Sequence, residues 1–114
     1  MVQQQLYRGA VPAIAVDVDV LARVGVALAD ETRRRLLLAL LDGPRYPAEL
    51  AAELGLGRAN TSNHLACLRG CGLVVAEPEG RRVRYELADR RLARALRDLS
   101  RLLLAVDPDC SHGR

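Results

Sequence analysis

The chain has 114 residues, half of them apolar, and a net charge of +3, which suits one compact domain and is too little for two. All strongly basic residues are arginine, and the aromatic residues are three tyrosines, so an aliphatic core is predicted and the stacking surface required by single-stranded nucleic acid is missing. Because no apolar run approaches the ~18 residues of a membrane span and no signal peptide is recognisable, we expect a cytoplasmic protein with no membrane partner and with reduced cysteines.

Two helices are predicted after an N-terminal arm that spans residues 1–15. Residues 14–20 alternate as a strand would, but the apolar residues then continue at helical spacing and favour a helix over 17–29. Asp30 can cap the second helix, which a Gly-Pro pair ends. The buried stripe of that helix consists of Leu36, Leu37, Leu40 and Leu41.

The next segment matches a helix-turn-helix arrangement. A short helix is predicted over 47–54 and a longer one over 58–71, and the turn 55–57 between them contains two glycines. Short polar and basic side chains near the start of the second helix suit contacts with base edges and phosphates in the major groove. These candidate DNA-binding residues are Arg58, Asn60, Thr61, Ser62, Asn63 and His64.

A basic hairpin is predicted next, with strands over 73–76 and 83–87 and a turn over 78–81. Arginines in such a wing suit contacts with the DNA backbone, and we expect Arg81 and Arg82 to make them. On composition alone, these arginines would be an ordinary solvated surface.

The last predicted helix spans 89–106, where leucines form an apolar seam that is too extensive for a small monomer to cover. The expected fold is therefore mainly α with a small β-hairpin, a homodimeric winged helix-turn-helix. The domain would span residues 16–106 and dimerise through its terminal helices, and residues 107–114 would form a C-terminal tail.

Several segments taken together resemble the ArsR/SmtB family of metal-responsive repressors over about residues 18–106. They are Ala27-Leu28-Ala29-Asp30-Glu31-Thr32-Arg33, Leu50-Ala51, Ser62-Asn63-His64-Leu65, Leu68, Gly72-Leu73-Val74 and Gly80-Arg81-Arg82-Val83-Arg84-Tyr85. The resemblance implies a dimer that binds a palindromic double-stranded operator and leaves it when a metal binds. Two metal sites of that family are missing here, because residues 45–50 contain no cysteine and residues 89–106 no histidine.

Three cysteines remain as candidate metal ligands. Cys67 and Cys71 are four residues apart and share one helix face, although isolated pairs with this spacing are more often buried small hydrophobes. Residues 65–76 also resemble a subgroup of the family that senses cadmium and lead. This resemblance implies that Cys67, Cys71 and Cys110 from the polar tail bind the metal. Three thiolates suit Pb(II) or Cd(II). Zn(II) is possible with a fourth ligand, which His112 could supply, although a free tail histidine is the more common role for such a residue.

The tail position carries a further expectation about the dimer. A last helix of about 18 residues would extend ~27 Å and carry Cys110 away from its own helix-turn-helix unit, toward the Cys67 and Cys71 of the partner. Whether the third thiolate comes from the same chain or the partner stays open on sequence grounds, as do the operator and the preferred metal.

Three other functions remain open. An arsenite or antimonite sensor would also use three thiolates, and a winged-helix regulator could sense oxidants through Cys67 and Cys71. A small thiol enzyme is less favoured, because His64 lies one turn before Cys67 but no acidic third member is apparent. We therefore expect no enzymatic activity.

Overall fold

The computed structural model describes residues 17–108, so the predicted N-terminal arm, Cys110 and His112 lie outside the described residues. Five helices, one 3-10 turn and one hairpin follow each other in that part of the chain. They are α1 (Asp17–Leu28), α2 (Glu31–Ala39), the 3-10 turn (Leu40–Asp42), α3 (Pro47–Leu54), α4 (Arg58–Gly70), β1 (Val74–Glu79), β2 (Arg82–Leu87) and α5 (Arg90–Ser100). The predicted architecture, mainly helical with a small β-hairpin, is confirmed.

Local capping chemistry sets the starts of α2 and α5. The carboxylate of Asp30 accepts a hydrogen bond from the backbone N–H of Arg33 at 3.1 Å, and Asp89 caps α5 in the same way through Arg91 at 2.7 Å. Helix α3 ends at Gly55, which adopts a left-handed conformation with φ of +67°. These signals are local in sequence, and they place the helices where the spacing predicted them.

An aliphatic core lies where the end of α1, the 3-10 turn and helices α2, α3 and α4 meet the first residue of the hairpin and the middle of α5. Its members are fully or almost fully buried and include Ala27, Leu36, Leu37, Leu40, Leu50, Leu65, Leu68, Val74 and Leu96. Because α3 and α4 each contribute their apolar face to this core, the opposite face of α4 is left exposed to solvent.

The hairpin is longer than the sequence pattern indicated. β1 and β2 pair antiparallel from Val74 opposite Leu87 to Glu79 opposite Arg82, so the turn consists of two residues, and Pro78 lies in a strand rather than in the turn. In a two-residue hairpin, the second pair from the turn is a non-hydrogen-bonded pair, so a proline there removes no ladder bond.

The last helix is shorter than predicted. It ends at Ser100, and residues 102–107 have no regular secondary structure, so the prediction of a helix to residue 106 is wrong. The apolar side chains beyond it are exposed in the single chain, with Leu103 97% and Val106 71% accessible. Helices of this length depend on packing of an apolar face, and this segment packs little within its own chain. None of the described helices is long and apolar enough to span a membrane.

Candidate nucleic-acid interface and metal centre

Helix α4 presents a polar face to solvent at its N-terminal end. Arg58, Asn60, Ser62 and Asn63 are exposed there, as expected of side chains that read or touch DNA. The helix begins directly after the turn that joins it to α3, so the same turn that builds the helix-turn-helix also brings these four side chains to the surface.

Thr61 does not belong to that face. Its side chain is fully buried, and its hydroxyl donates a hydrogen bond to the carbonyl oxygen of Gly57 at 2.9 Å. The prediction that Thr61 contacts DNA is therefore wrong. Its spacing from Leu65 and Leu68, four and seven residues later, is that of the buried stripe and could have identified it as a core residue from the sequence.

His64 lies against helix α2 rather than in the open. Its Nδ1 atom is 3.9 Å from the Oδ2 atom of Asp30, and its side chain is largely covered. The pKa of Asp30 is lowered, first by the hydrogen bond from the Arg33 backbone N–H and then, against the opposing effect of desolvation, by the charges of His64 and Arg33. The N-cap of α2 is thus in electrostatic contact with α4, the second helix of the helix-turn-helix, which we call the recognition helix, and a DNA contact by His64 stays a prediction.

The wing places its arginines in different surroundings. Arg81 is exposed at the turn. The guanidinium carbon of Arg82 lies 3.4 Å from the centroid of the Tyr46 ring, and Nη1 of Arg84 lies 2.7 Å from Oε2 of Glu79. Tyr46 was not among the residues predicted from the sequence, where it stands out only as one of three tyrosines and as the residue directly before the proline that opens α3.

The two cysteines of the recognition helix lie together at its C-terminal end. Both are free thiols and half-buried, and the backbone N–H of Cys71 donates to the carbonyl of Cys67 at 3.0 Å. Burial raises the pKa of the Cys71 thiol, and the neighbouring Cys67 raises it further. Arg23 of α1 and Arg33 of α2 act in the opposite direction.

This thiol pair provides two soft ligands and no more. Within residues 17–108 no group of three or more His, Cys, Asp or Glu side chains is arranged to hold a metal ion. Cys71 lines an open groove that is bordered by Val20, Arg23, Arg69 and residues 70–76. A donor set of two sulfurs at the edge of a groove fits a soft cation if a further ligand reaches the pair from another part of the chain or assembly.

Comparison with known proteins decides the family. Residues 30–75 match the family model described as bacterial regulatory protein, arsR family. The HTH-type transcriptional regulator CmtR of Mycobacterium tuberculosis is 68% identical over 89 residues, which cover 78% of this chain and 75% of that protein. The chain belongs to the ArsR family.

Solved structures of the ArsR family agree with this assignment. The NMR structure of the cadmium metal-sensor CMTR from Mycobacterium tuberculosis aligns with a TM-score of 0.64 at 67% identity and covers 78% of this chain and 93% of that one. The homodimeric winged helix-turn-helix DNA-binding domain of Mb0332 from Mycobacterium bovis aligns with a TM-score of 0.69 at 33% identity and covers 78% and 87%. The predicted winged helix-turn-helix fold, the family and the CmtR-like subgroup are confirmed, and the chain is a transcriptional regulator by family.

Proposed function

We propose that this ArsR-family chain is a homodimeric repressor that binds double-stranded operator DNA and is released by a thiophilic metal ion, Cd(II) or Pb(II). One observation supports this above all others. The helix that exposes Asn60 and Asn63 at its start carries the paired thiols Cys67 and Cys71 at its end, so a ligand at the thiols acts on the same rigid element that faces DNA.

The DNA-binding part of the proposal rests on shape and charge. The exposed start of α4 suits the major groove, and the arginine-bearing hairpin beside it suits the flanking phosphates. A two-fold dimer would place two such helices about one DNA turn apart, ~34 Å, and so would require a palindromic operator. Binding to chromosomal DNA is also the basis on which we propose a cytoplasmic location.

The dimer part rests on apolar side chains that the single chain leaves exposed. Val18 and Leu21 of α1 are 78% and 71% accessible, and Leu99 of α5 is 52% accessible. The leucines after α5 add to the same kind of surface. Apolar surface on the first and last helices favours burial against a second copy, in agreement with the homodimeric Mb0332 domain.

The metal part rests on the chemistry of the donors. We propose that Cys67 and Cys71, together with Cys110 of the tail, would hold the ion, which when bound supplies a link between the recognition helix and the tail. A cysteine thiol is ordinarily protonated at neutral pH and burial raises the pKa of Cys71 further, so binding must displace protons, and soft cations drive that exchange best. Zn(II) would need a fourth ligand, for which we propose His112.

The proposed response to metal is a shift between two states of the dimer. In the free state the recognition helix is held by its apolar face, and its polar start is available to DNA. A link from its C-terminal end to a tail would restrain the helix and favour a geometry with poorer groove contacts. Coupling energies between two ligand sites are typically ~1–3 kcal/mol, so operator affinity should fall by about one or two orders of magnitude.

The test combines metal binding with DNA binding. Cd(II), Pb(II), Zn(II) and arsenite are titrated into reduced dimer while thiolate-to-metal absorption and fluorescence anisotropy of labelled operator duplex are recorded. Cys67→Ser, Cys71→Ser and Cys110→Ser should each abolish the absorption and the release, but leave metal-free operator binding intact. His112→Ala is the matched tail control and should leave the Cd(II) response unchanged.

Two results would count against the proposal. Release of the serine variants by Cd(II) would remove the cysteines from the mechanism. Release of wild-type protein by a disulfide-forming reagent, without any response to metals, would favour an oxidant sensor instead.

A further inference from the structure

Tyr46 contacts the wing from outside it. This residue immediately precedes α3, and its ring lies under the guanidinium of Arg82 at 3.4 Å from the centroid. Its hydroxyl donates a 2.5 Å hydrogen bond to Oε1 of Glu79, and the other oxygen of Glu79 lies 2.7 Å from Nη1 of Arg84. We call these four residues the Tyr46 clamp. The clamp engages the end of β1 and the start of β2 at once.

A backbone bridge beside the clamp fastens the same part of the wing. The N–H of Arg45 donates to the carbonyl of Tyr85 at 2.8 Å, and the N–H of Tyr85 donates back to the carbonyl of Arg45 at 2.8 Å. The Arg45 guanidinium also hydrogen-bonds to Glu53 of α3. The hairpin is therefore fixed to the helix-turn-helix unit through residues 45 and 46.

The clamp leaves the wing arginines unequally available. Side chains alternate along a strand, so Arg82 and Arg84 share one face of the hairpin, the face that Tyr46 covers. Arg81 lies in the turn between the strands and is exposed, and no ion pair within the described residues includes it. Arg82 is exposed as well, but its guanidinium lies over the Tyr46 ring, and a cation in that position is attracted by the ring quadrupole, which favours retention of Arg82 in the clamp.

We propose that Tyr46 is a positioning residue that fixes the wing for DNA binding. Arg81 then contacts phosphate, and Arg82 is retained in the clamp. The proposal rests on the DNA-binding function proposed above. It refines the sequence expectation that both arginines contact the backbone. Phosphate contacts orient a protein on the duplex, so a wing of fixed position makes the Arg81 contact at a defined distance from the recognition helix.

The first experiment separates the two arginines by salt dependence. Affinity for a fluorescein-labelled duplex of mixed sequence, about three helical turns long, is measured over a range of salt concentrations for the wild-type dimer, Arg81→Ala and Arg82→Ala. Each lost phosphate contact lowers the slope of log affinity against log salt by about one. Arg81→Ala should therefore lower the slope by about two per dimer, and Arg82→Ala should lower it clearly less, because it removes no phosphate contact of its own and only loosens the wing. An equal loss of slope in both variants would overturn the assignment.

The second experiment tests the clamp in the free protein. Hydrogen exchange at the amides of Arg45 and Tyr85 reports the bridge between wing and helix unit. Tyr46→Ala and Arg82→Ala should each increase these exchange rates several-fold, and Tyr46→Trp, which keeps an aromatic face, should restore most of the protection. Arg81→Ala is the matched control and should change nothing. Unchanged exchange in Tyr46→Ala and Arg82→Ala would refute the clamp.

The two experiments test the proposed function and the clamp independently of each other. If the wild-type dimer does not bind the duplex, the proposed function fails, and the exchange measurement still decides whether Tyr46 fixes the wing. If the duplex binds but the exchange rates do not respond, the repressor proposal stands and the positioning role of Tyr46 falls.

Discussion

Two residues of α4 that are close in sequence differ completely in burial. Thr61 is fully buried and bonded to the Gly57 carbonyl, whereas Asn63 is exposed. Thr61→Val keeps the shape but removes the hydroxyl bond, so we expect a loss of about 0.5–1.5 kcal/mol in unfolding free energy and no change in operator preference. Asn63→Ala should instead change the operator preference and leave the unfolding free energy nearly unchanged. Chemical denaturation measures the first effect, and selection from a randomised duplex library measures the second. A changed operator preference in Thr61→Val would mean that Thr61 does contact DNA in the major groove.

Asp30 makes the free energy of unfolding depend on pH in the acid range. Its pKa is lower in the folded chain than its ordinary value of about 4, chiefly because the Arg33 N–H bonds to the ionised form. A lowered folded pKa means that this contribution is complete above the ordinary value and is lost as pH falls through the folded value.

Asp30→Asn separates the charge from the cap, because asparagine caps helices almost as well but does not titrate. We expect the acid-induced fall in unfolding free energy to be shallower in Asp30→Asn than in wild type as the pH drops below the ordinary pKa of an aspartate, about 4. Asp30→Ala should be less stable than both at neutral pH. Identical acid profiles for wild type and Asp30→Asn would show that Asp30 carries no linked proton.

At the scale of elements, sequence predicted what depends on local chemistry. The starts of α2, α3 and α5 follow from Asp30, Pro47 and Asp89, which act within one turn. The end of α5 could not be predicted, because it depends on whether Leu103 finds a packing partner. The position of Pro78 depends on strand register. The thiol pair was identified from sequence, but the Tyr46 clamp joins residues about 35 positions apart, and no local pattern encodes such a contact.

Helix α4 is held in place by the core more than by its own propensity. Leu68 is fully buried and directly follows Cys67, a candidate metal ligand, whereas Arg69 on the same turn is exposed. Leu68→Ala should lower the unfolding free energy by about 2–5 kcal/mol through lost burial and the cavity left behind. Arg69→Ala is the control and should change it by no more than about 0.5 kcal/mol. Equal effects in urea denaturation would mean that α4 does not depend on its apolar face.

For the whole molecule, the exposed apolar residues of α1 and of the segment after α5 predict a dimer. Leu99 and Leu103 are 52% and 97% accessible in one chain, and burial of such side chains is the driving force for association. A double change, Leu99→Glu with Leu103→Glu, should give a monomer in sedimentation equilibrium at micromolar concentration. Operator affinity should fall with it, because one recognition helix then acts alone. Arg101→Glu, on an exposed position between them, is the control, and a dimeric double variant would place the interface elsewhere.

The path of the C-terminal tail decides whether one metal site belongs to one chain or to two. Helix α5 has 11 residues and rises about 16 Å, less than the ~27 Å on which the cross-chain expectation was based. The ten residues from Ser100 to Cys110 add a reach of at most ~36 Å, so length alone permits either arrangement. We still expect the partner's thiols to be the target, because an interface that buries the segment after α5 would direct the tail toward the partner.

Mixing two inactive variants tests this cross-chain arrangement. One chain carries Cys110→Ser, and the other carries both Cys67→Ser and Cys71→Ser. In a cross-chain dimer, the intact thiol pair of the first chain meets the intact tail of the second, and each heterodimer regains one complete three-sulfur site. In a same-chain arrangement neither chain has a full set. We expect purified, differentially tagged heterodimers to regain about half of the wild-type thiolate-to-metal absorption with Cd(II), since one of two sites is rebuilt. Homodimers of each variant are the controls, and heterodimers without absorption would place all three ligands in one chain.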